Sequence, residues 1–275
     1  MKKQSGIALA LSLLFLSGCS SVQAATTAAS STALSFSATP QLTDFHSISV
    51  DVLAANVHIN TGEDWSVSYR FSDKETLQRC DVEDGTLYVE TSFDPAHHFR
   101  HKDWYVTITV PEGTVMQEID ASSVSGEVLL RNVTCDSASL DSTSGQVRMQ
   151  NVTAQEAELS SVSGRITAEN LSADQLEAKT TTGDLTLAGS FGSLEAKTIS
   201  AKTDISGEIT QEAEAESISG NISLSVTHPL DLDAATIGTI QLNGKRAEVP
   251  LSVQTGAPEA ELKSVSGKIT ITTAK

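Results

Sequence analysis

The sequence is poor in aromatic residues and contains no long apolar segment. Aromatic residues make up 4% of the 275 residues, and ten of the twelve lie between Phe36 and Tyr105, so the chain divides into two parts of different composition. The longest apolar run, 7–16, is too short to span a bilayer as a helix. No segment longer than ten residues has a convincing helical pattern, which favours an all-β protein.

Basic residues are scarce as well. The chain has 18 Lys and Arg against 35 Asp and Glu, a formal net charge of −17. Nucleic-acid binding requires a basic surface, so this balance argues against it. It also argues against electrostatic docking on anionic lipid.

The common catalytic motifs are absent too. The sequence has no Gly-x-Ser-x-Gly, no phosphate-binding glycine loop with Lys, no His-Glu-x-x-His and no Cys-x-x-Cys. Serines are abundant, but no His lies near them in the repeat to activate one. The sequence therefore predicts no catalytic residue and no cofactor.

What the chain does contain is a four-residue motif that recurs along the sequence; we call this motif the phrase. The steps between six successive copies are 19, 19, 19, 18 and 19 residues, and the phrase returns at 264–267. The six copies are Ser-Val-Ser-Gly at 123–126, Ser-Thr-Ser-Gly at 142–145, Ser-Val-Ser-Gly at 161–164, Thr-Thr-Thr-Gly at 180–183, Thr-Ile-Ser-Ala at 198–201 and Ser-Ile-Ser-Gly at 217–220. A fixed period near 20 residues is typical of a solenoid.

The flanks of each phrase alternate as half-buried strands do. Val128 and Leu130 follow the first phrase with one residue between them, and equivalent aliphatic pairs follow most other copies. The pattern predicts a single-stranded parallel β-helix, a β-solenoid of about 19 residues per turn. Right-handed winding is favoured because parallel crossovers are nearly always right-handed. A left-handed hexapeptide helix is the alternative, although no six-residue sub-period is visible.

Two further columns support stacking of the copies. Before each phrase, five of six copies pair one large aliphatic residue with Ala, as in Ala138 and Leu140, which predicts volume compensation in a narrow core. After the second strand, Asn132, Asn151 and Asn170 recur at one corner, where we expect turn conformations. Gly189 and Gly207 are predicted at the same corner in later copies. The regular copy at 260–271 is expected to form the C-terminal edge.

The N-terminus has the features of a bacterial lipoprotein signal. Lys2 and Lys3 precede the apolar run, and Leu-Ser-Gly-Cys follows it at 16–19. We expect a signal peptide over 1–18, lipid attachment at Cys19 and a flexible tether over 19–33. An ordinary signal peptide, cleaved after Ala24 or Ala25, is the alternative. The protein would then be lipid-anchored at the cell membrane or outer membrane, facing outside the cytoplasm.

Residues 34–118 form a β-rich N-terminal part that leads into solenoid repeats over 119–275. Predicted strands cover 47–52, 57–60, 65–71, 86–91 and 104–110, separated by turn signals such as Glu-Asp-Gly at 83–85. Whether they form early turns of the solenoid or a small separate sheet stays open.

Three sequence features together resemble a known family. They are the Ser-Val-Ser-Gly phrases, Thr-Ile-Thr-Val-Pro-Glu-Gly at 107–113, and Cys-Asp-Val-Glu-Asp-Gly-Thr-Leu-Tyr-Val at 80–89. The chain is similar, from about 44 to 272, to the bacterial "putative adhesin" family of β-strand-repeat proteins, a domain family of unknown function. The resemblance implies a β-solenoid at the cell surface and carries no catalytic residues.

One column is the sharpest candidate for binding. It lies between two Ser/Thr columns and consists of Val124, Thr143, Val162, Thr181, Ile199 and Ile218. If the neighbouring hydroxyls point inward, these β-branched residues form an exposed strip suited to a partner; we call it the binding strip. The alternative is a bulge that turns the column inward.

Other candidates are weaker. His97, His98 and His101 could bind Zn²⁺ or Cu²⁺, or could simply belong to a polar hairpin connection. The acidic column Asp120, Glu158, Glu177, Glu195 and Glu214 could collect Ca²⁺, although a solvated face is the favoured explanation. Cys80 and Cys135 could form a disulfide outside the cytoplasm or remain two independent thiols.

These observations predict a non-enzymatic adhesin or envelope scaffold. It would be held at the membrane by its lipid and would contact an unknown surface protein or glycan, without nucleic acid. An envelope-stress sensor or regulator is an alternative. A polysaccharide-active β-helix enzyme is less favoured, because such enzymes need long loops and 244–259 is the only sizeable insertion.

Overall fold

The computed structural model describes residues 34–37, 45–71, 75–93 and 104–273, and its regular elements over these residues are all β-strands. The strands are β1 (Leu34–Ser37), β2 (Ser47–Val52), β3 (Asn56–Gly62), β4 (Ser66–Arg70), β5 (Glu75–Glu83), β6 (Thr86–Phe93), β7 (Tyr105–Pro111), β8 (Val115–Ser123), β9 (Val128–Arg131), β10 (Thr134–Ser142), β11 (Val147–Gln150), β12 (Thr153–Ser161), β13 (Ile166–Thr180), β14 (Leu185–Thr198), β15 (Thr203–Ser217), β16 (Ile222–Val226), β17 (Asp231–Thr236), β18 (Ile240–Leu242), β19 (Lys245–Arg246), β20 (Leu251–Val253), β21 (Glu259–Ser264) and β22 (Ile269–Thr272). The predicted signal peptide, Cys19 and the tether lie outside the described residues.

Successive copies of the repeat lie directly over one another. Leu140 of β10 pairs with Leu159 of β12 in a parallel ladder, and both leucines are fully buried. Arg148 of β11 pairs in the same way with Thr167 of β13. Each pair is 19 residues apart, as the repeat requires. The prediction of an all-β parallel solenoid is therefore confirmed.

Each turn of the solenoid, which we call a coil, has a first arm before the Ser/Thr phrase and a second arm after it. The first arms stack in the order β6, β2, β8, β10, β12, β13, β14, β15, β21, β17. The second arms stack in the order β7, β3, β9, β11, β13, β14, β15, β16, β22, β18. Ten stacked coils span ~43 Å at a strand spacing of ~4.8 Å.

The core between the arms follows the predicted volume compensation. Ile119 pairs with Ala138, whereas two residues later Ala121 pairs with Leu140. All four side chains are buried. Large and small residues thus alternate between neighbouring coils, which fills a narrow interior without overlap.

Asparagine occupies one corner in three successive coils. Asn132, Asn151 and Asn170 have φ values of 57°, 53° and 53°, the left-handed region that Asn tolerates. Asn151 Nδ2 donates to Asn132 Oδ1 at 2.9 Å, and Asn170 Nδ2 donates to Asn151 Oδ1 at 3.0 Å. The side chains therefore form a hydrogen-bonded ladder along the stack.

The predicted positions of Gly189 and Gly207 at that corner are wrong. Gly189 pairs with Leu171, and the ladder shifts register between Glu169 and Leu171. The coil after Asn170 is one residue shorter, and the missing residue is the corner Asn itself. Gly207, with φ 129°, pairs with Gly189 and continues the Leu171 column.

The order of coils at each end differs from the order of the sequence. The coil of β21 and β22 lies between the coil of β15 and β16 and the coil of β17 and β18. At the other end, β2 and β3 lie between β6 and β7 on one side and β8 and β9 on the other. The expectation that 260–271 forms the C-terminal edge is therefore wrong, because the degraded copy around Thr236 occupies that place.

Antiparallel strands cover the outermost coils. β5 pairs with β6 and β4 with β7 at one end, while β20 pairs with β17 and β19 with β18 at the other. Such strands occupy hydrogen-bonding groups that would otherwise recruit another chain. The described residues all lie in one compact unit, Ala33–Lys275. No described helix is long and apolar enough to cross a membrane.

Candidate functional site

The hydroxyl that opens each phrase points into the protein. Ser142 is 5% exposed, and its Oγ accepts a hydrogen bond from the Gly145 amide at 2.9 Å. The same hydroxyl donates to the Gly126 carbonyl of the preceding coil at 3.2 Å. One buried hydroxyl therefore closes its own turn and ties it to the coil beside it, which satisfies a buried polar group.

Glycine ends the phrase because the turns stack too closely for a side chain. A Cβ on Gly145 would lie 1.8 Å from the Gly126 carbonyl oxygen, and one on Gly164 would lie 1.7 Å from the Gly145 oxygen. The requirement for glycine at this position is therefore steric. The result is a flat stack of turns along one edge of the solenoid.

The first hydroxyl of each phrase is buried, and the glycine packs against the turn of the preceding coil. The second residue of each phrase therefore faces solvent. Val124, Val162, Ile199 and Ile218 are between 48% and 54% exposed. The binding strip therefore lies on the surface, in the geometry that the inward hydroxyls require. Backbone hydrogen bonds connect each strip residue to the turn of the next coil, for example from the Ser144 amide to the Val124 carbonyl at 3.0 Å.

Two more residues extend the strip beyond the six predicted from the sequence. Val265 is 54% exposed and lies beside Ile218, and Ile237, 83% exposed, lies beside Val265. The Ser-Val-Ser-Gly phrase at 264–267 was the signal for Val265. Ile237 could not be placed from the sequence, because its coil follows Val265 only through the changed coil order.

The strip forms one wall of a shallow groove. A cavity of about 580 Å³ runs along it, with buried Ser and Thr hydroxyls such as Ser142 and Ser161 in its lining. A second cavity of about 800 Å³ continues at the far end of the stack, where Val249 and Pro250 face Ile218 and Val265. The groove therefore follows the solenoid axis for most of the strip.

Charged residues flank the strip on both sides. The first charged column lies two residues before the strip and reads, in spatial order, Asp51, Ser122, Asp141, Ser160, Lys179, Lys197, Glu216 and Lys263. The second charged column follows the glycine position and reads Glu127, Gln146, Arg165, Asp184, Lys202, Asn221 and Lys268. Sequence reasoning about the strip missed both columns because their charges vary from coil to coil.

The acidic column predicted on the first arms faces a separate concavity. Glu158, Glu177, Glu195 and Glu214 line a cavity of about 590 Å³. Lys179 pairs with Glu177, and Lys197 with Glu195, along their own strands. Burial, followed by the negative charges of Asp141, Glu118, Asp51 and Glu158, raises the pKa of Asp120. The column is thus partly neutralised by lysine where lysine is present and repulsive where it is not.

The metal and disulfide candidates have different outcomes. The histidines at 97, 98 and 101 lie outside the described residues. Within the described part, no group of three or more His, Cys, Asp or Glu side chains is placed to hold a metal ion. Cys80 and Cys135 are free thiols, and burial raises their pKa values to about 11 and about 12, so both stay protonated at neutral pH.

Comparison with known proteins gives the family. The Toastrack DUF4097 family model matches residues 45–272. The chain belongs to this family. The Toastrack match covers the whole described stack, from the first buried residue before β2 to the end of β22. No curated protein matches the chain.

Three solved structures align with most of the chain. A "putative lipid binding protein" from Parabacteroides distasonis aligns with a TM-score of 0.55 and 17% identity, over 89% of this chain and 96% of that one. A "putative adhesin" from Parabacteroides merdae aligns with a TM-score of 0.47 and 14% identity, over 89% and 96%. A "putative adhesin" from Bacteroides fragilis gives 0.43 and 17%, over 88% and 96%. At 17% identity, the alignment with the Parabacteroides distasonis structure supports the fold alone.

Proposed function

We propose that the protein is a non-enzymatic surface protein of the cell envelope, anchored by lipid on Cys19, which contacts a partner through the binding strip. The exposed strip is the observation that carries this proposal. Six of its eight residues are Val or Ile, each at least 48% exposed, and Ile199, Ile218, Val265 and Ile237 are consecutive along the stack. Exposed apolar residues arranged contiguously mark interaction sites, whereas scattered ones do not.

The strip favours weak contact repeated over many coils. Covering one half-exposed Val or Ile contributes about 1 kcal/mol, so no single residue dominates. The usual anchors of tight interfaces are Trp, Tyr and Arg. Phe191 is the only aromatic residue after Tyr105, and it is buried. This favours a partner surface of small apolar groups, such as a protein, over a glycan that would stack on rings.

Removal of the apolar strip tests this proposal. In cells that express the full chain, Val162→Ser, Ile199→Ser and Ile218→Ser together should reduce capture of the chemically cross-linked envelope partner at least ~10-fold. The melting temperature should change little, because all three side chains are exposed. Val115→Ser is the matched control, since Val115 is 58% exposed but lies outside the strip. Equal losses in both variants would rule the strip out as the contact.

The anchor needs a separate test. Cys19→Ser should move the protein from the membrane fraction to the soluble extracytoplasmic fraction, because the acidic chain has no electrostatic attraction to anionic lipid. Mass spectrometry of the N-terminal peptide should find Cys19 as the first residue, with acyl groups attached. An unmodified peptide that begins after Ala24 or Ala25 would contradict the lipid anchor.

A further inference from the structure

The surface around the strip differs from the remainder of the protein in charge. The chain carries a net charge of −17, which opposes association between copies over most of the surface. The two charged columns that flank the strip hold six basic residues and five acidic ones, so this face is close to neutral. Copies of the chain repel one another least here.

The charges on this face are also ordered along the stack. The end nearest β2 carries Asp51, Asp141 and Glu127. Towards the opposite end, basic residues predominate in both columns: Lys179, Lys197 and Lys263 in the first, Lys202 and Lys268 in the second. The face is therefore acidic at one end and basic at the other, with the apolar strip between the columns.

We propose that the partner of the strip is a second copy of this chain, packed face to face and antiparallel about a two-fold axis perpendicular to the stack. The inference rests on the proposed function and names its partner. Rotation about an axis in the plane of contact places each charged column opposite the same column of the second copy, running in the reverse direction. The acidic end of each column therefore meets the basic end of its counterpart. Such an isologous contact closes on itself and gives a dimer.

One register satisfies both columns. If the axis passes between the coils of Val162 and Thr181, Asp141 faces Lys197 of the second copy and Asp51 faces Lys263. In the second column Arg165 then faces Asp184. The parallel arrangement fails, since it places Lys197 against Lys202 and Lys263 against Lys268, and like charges in contact are unfavourable.

The contact is small and apolar at its centre. Eight coils overlap over ~34 Å, and five residues across the turn span at most ~16 Å, which limits the buried area to ~1,100 Å² for both copies. This lies at the lower end of specific interfaces and predicts a weak dimer. Anchoring on a membrane would raise the local concentration and offset the weak affinity. The ends of the two stacks that carry β6 and β7 lie at opposite ends of the pair.

Cross-linking in cells tests the pair on the intact protein. Thr181→Cys places a thiol close to the axis, and a short bismaleimide should link two copies into a product of twice the chain mass. The native thiols of Cys80 and Cys135 are shielded and protonated, so they react slowly. Val115→Cys, exposed but off the strip, should give no such product.

A charge exchange tests the register. In the Thr181→Cys background, Asp141→Lys and Lys197→Asp should each reduce cross-linking about tenfold, since each places two like-charged pairs in the contact. Co-expression of the two single variants should restore it between unlike copies, because every altered residue then faces its opposite. A structural defect in either variant would not be rescued in this way.

The outcomes separate the inference from the function it rests on. Cross-linking to a protein of another mass, together with loss of capture in the strip variant, overturns the second copy as partner and retains the contact strip. No cross-linked product, with capture unchanged in the strip variant, overturns both. Cross-linking in the two single charge variants equal to that of the Thr181→Cys parent overturns the antiparallel register.

Discussion

Three residues of each phrase divide their roles by the direction in which they point. The first hydroxyl is buried and joins neighbouring coils, the second residue faces water, and the last is small because a carbonyl oxygen of the preceding coil lies against it. Their order is therefore fixed by packing. A Ser-Val-Ser-Gly phrase supplies the surface strip only as long as its first and last residues hold the turn.

One buried side chain breaks the pattern of the core. Thr203 occupies the column of Val128, Val147, Ile166 and Leu185, and it is 1% exposed. Its hydroxyl has no hydrogen-bond partner in the described part of the chain. Thr203→Val keeps the shape and removes the unsatisfied group, so we expect the free energy of unfolding to rise by about 1 kcal/mol. Chemical denaturation measures it.

The matched control is a threonine that lies on the second arm of another coil and faces outward. Thr167 is partly exposed, so Thr167→Val should change the free energy of unfolding by less than ~0.5 kcal/mol. A lower stability for Thr203→Val would show that the hydroxyl is satisfied in solution.

Residue roles that depend on the repeat alone could be read from the sequence. The left-handed Asn corner and the buried pairs such as Ala138 and Leu140 repeat at a fixed position, so their environment is the same in each coil. Gly189 could not be assigned, because a deletion of one residue can fall anywhere in a turn. Only the register of paired strands shows that the corner Asn was lost.

At the scale of the strand, the first arms carry an acidic column that is compensated unevenly. Lys263 pairs with Glu261 at 2.6 Å on its own strand, and Lys197 with Glu195 in the same way. The arm of Asp120 has no such lysine: its neighbours are Glu118, Asp51 and Asp141. We therefore expect repulsion to be concentrated at this end of the column.

This repulsion predicts how stability depends on pH. Burial and neighbouring acids raise the pKa of Asp120 above its ordinary value of 3.8, so the folded state holds the proton more tightly than the unfolded state. The favourable contribution of this group is complete below its unfolded pKa and is lost as pH rises through the folded pKa. At neutral pH, Asp120→Asn should therefore raise stability, and the gain should disappear in acid. Denaturant unfolding at several pH values measures the difference.

The neighbouring Ser139 provides the control for that measurement. It occupies the same column one coil away, and Ser139→Asn changes no charge, so its effect on stability should vary with pH much less than that of Asp120→Asn. If the gain from Asp120→Asn were equal at neutral and acid pH, repulsion would not be its source.

At the scale of the molecule, both ends of the stack are built in the same way. The first coil in the sequence, β2 and β3, and the last, β21 and β22, each lie second from an end. This order could not be predicted, because equivalent phrases are equally able to pair with one another. One clue was present: a regular copy needs neighbours on both sides, while the degraded copy around Ile237 suits an edge.

The coil order distinguishes this fold from a stack that follows the sequence. If coils followed the sequence, a chain that ends at Pro258 would lose only its terminal coil, since each coil depends on its neighbours alone. In the observed order, the same truncation removes the coil that separates β17 from β15. We therefore expect β17 and β18 to lose their hydrogen-exchange protection as well, while β10 and β12 keep theirs. Mass spectrometry of peptides covering 231–236 measures this loss, and unchanged protection there would mean that β17 can pair directly with β15.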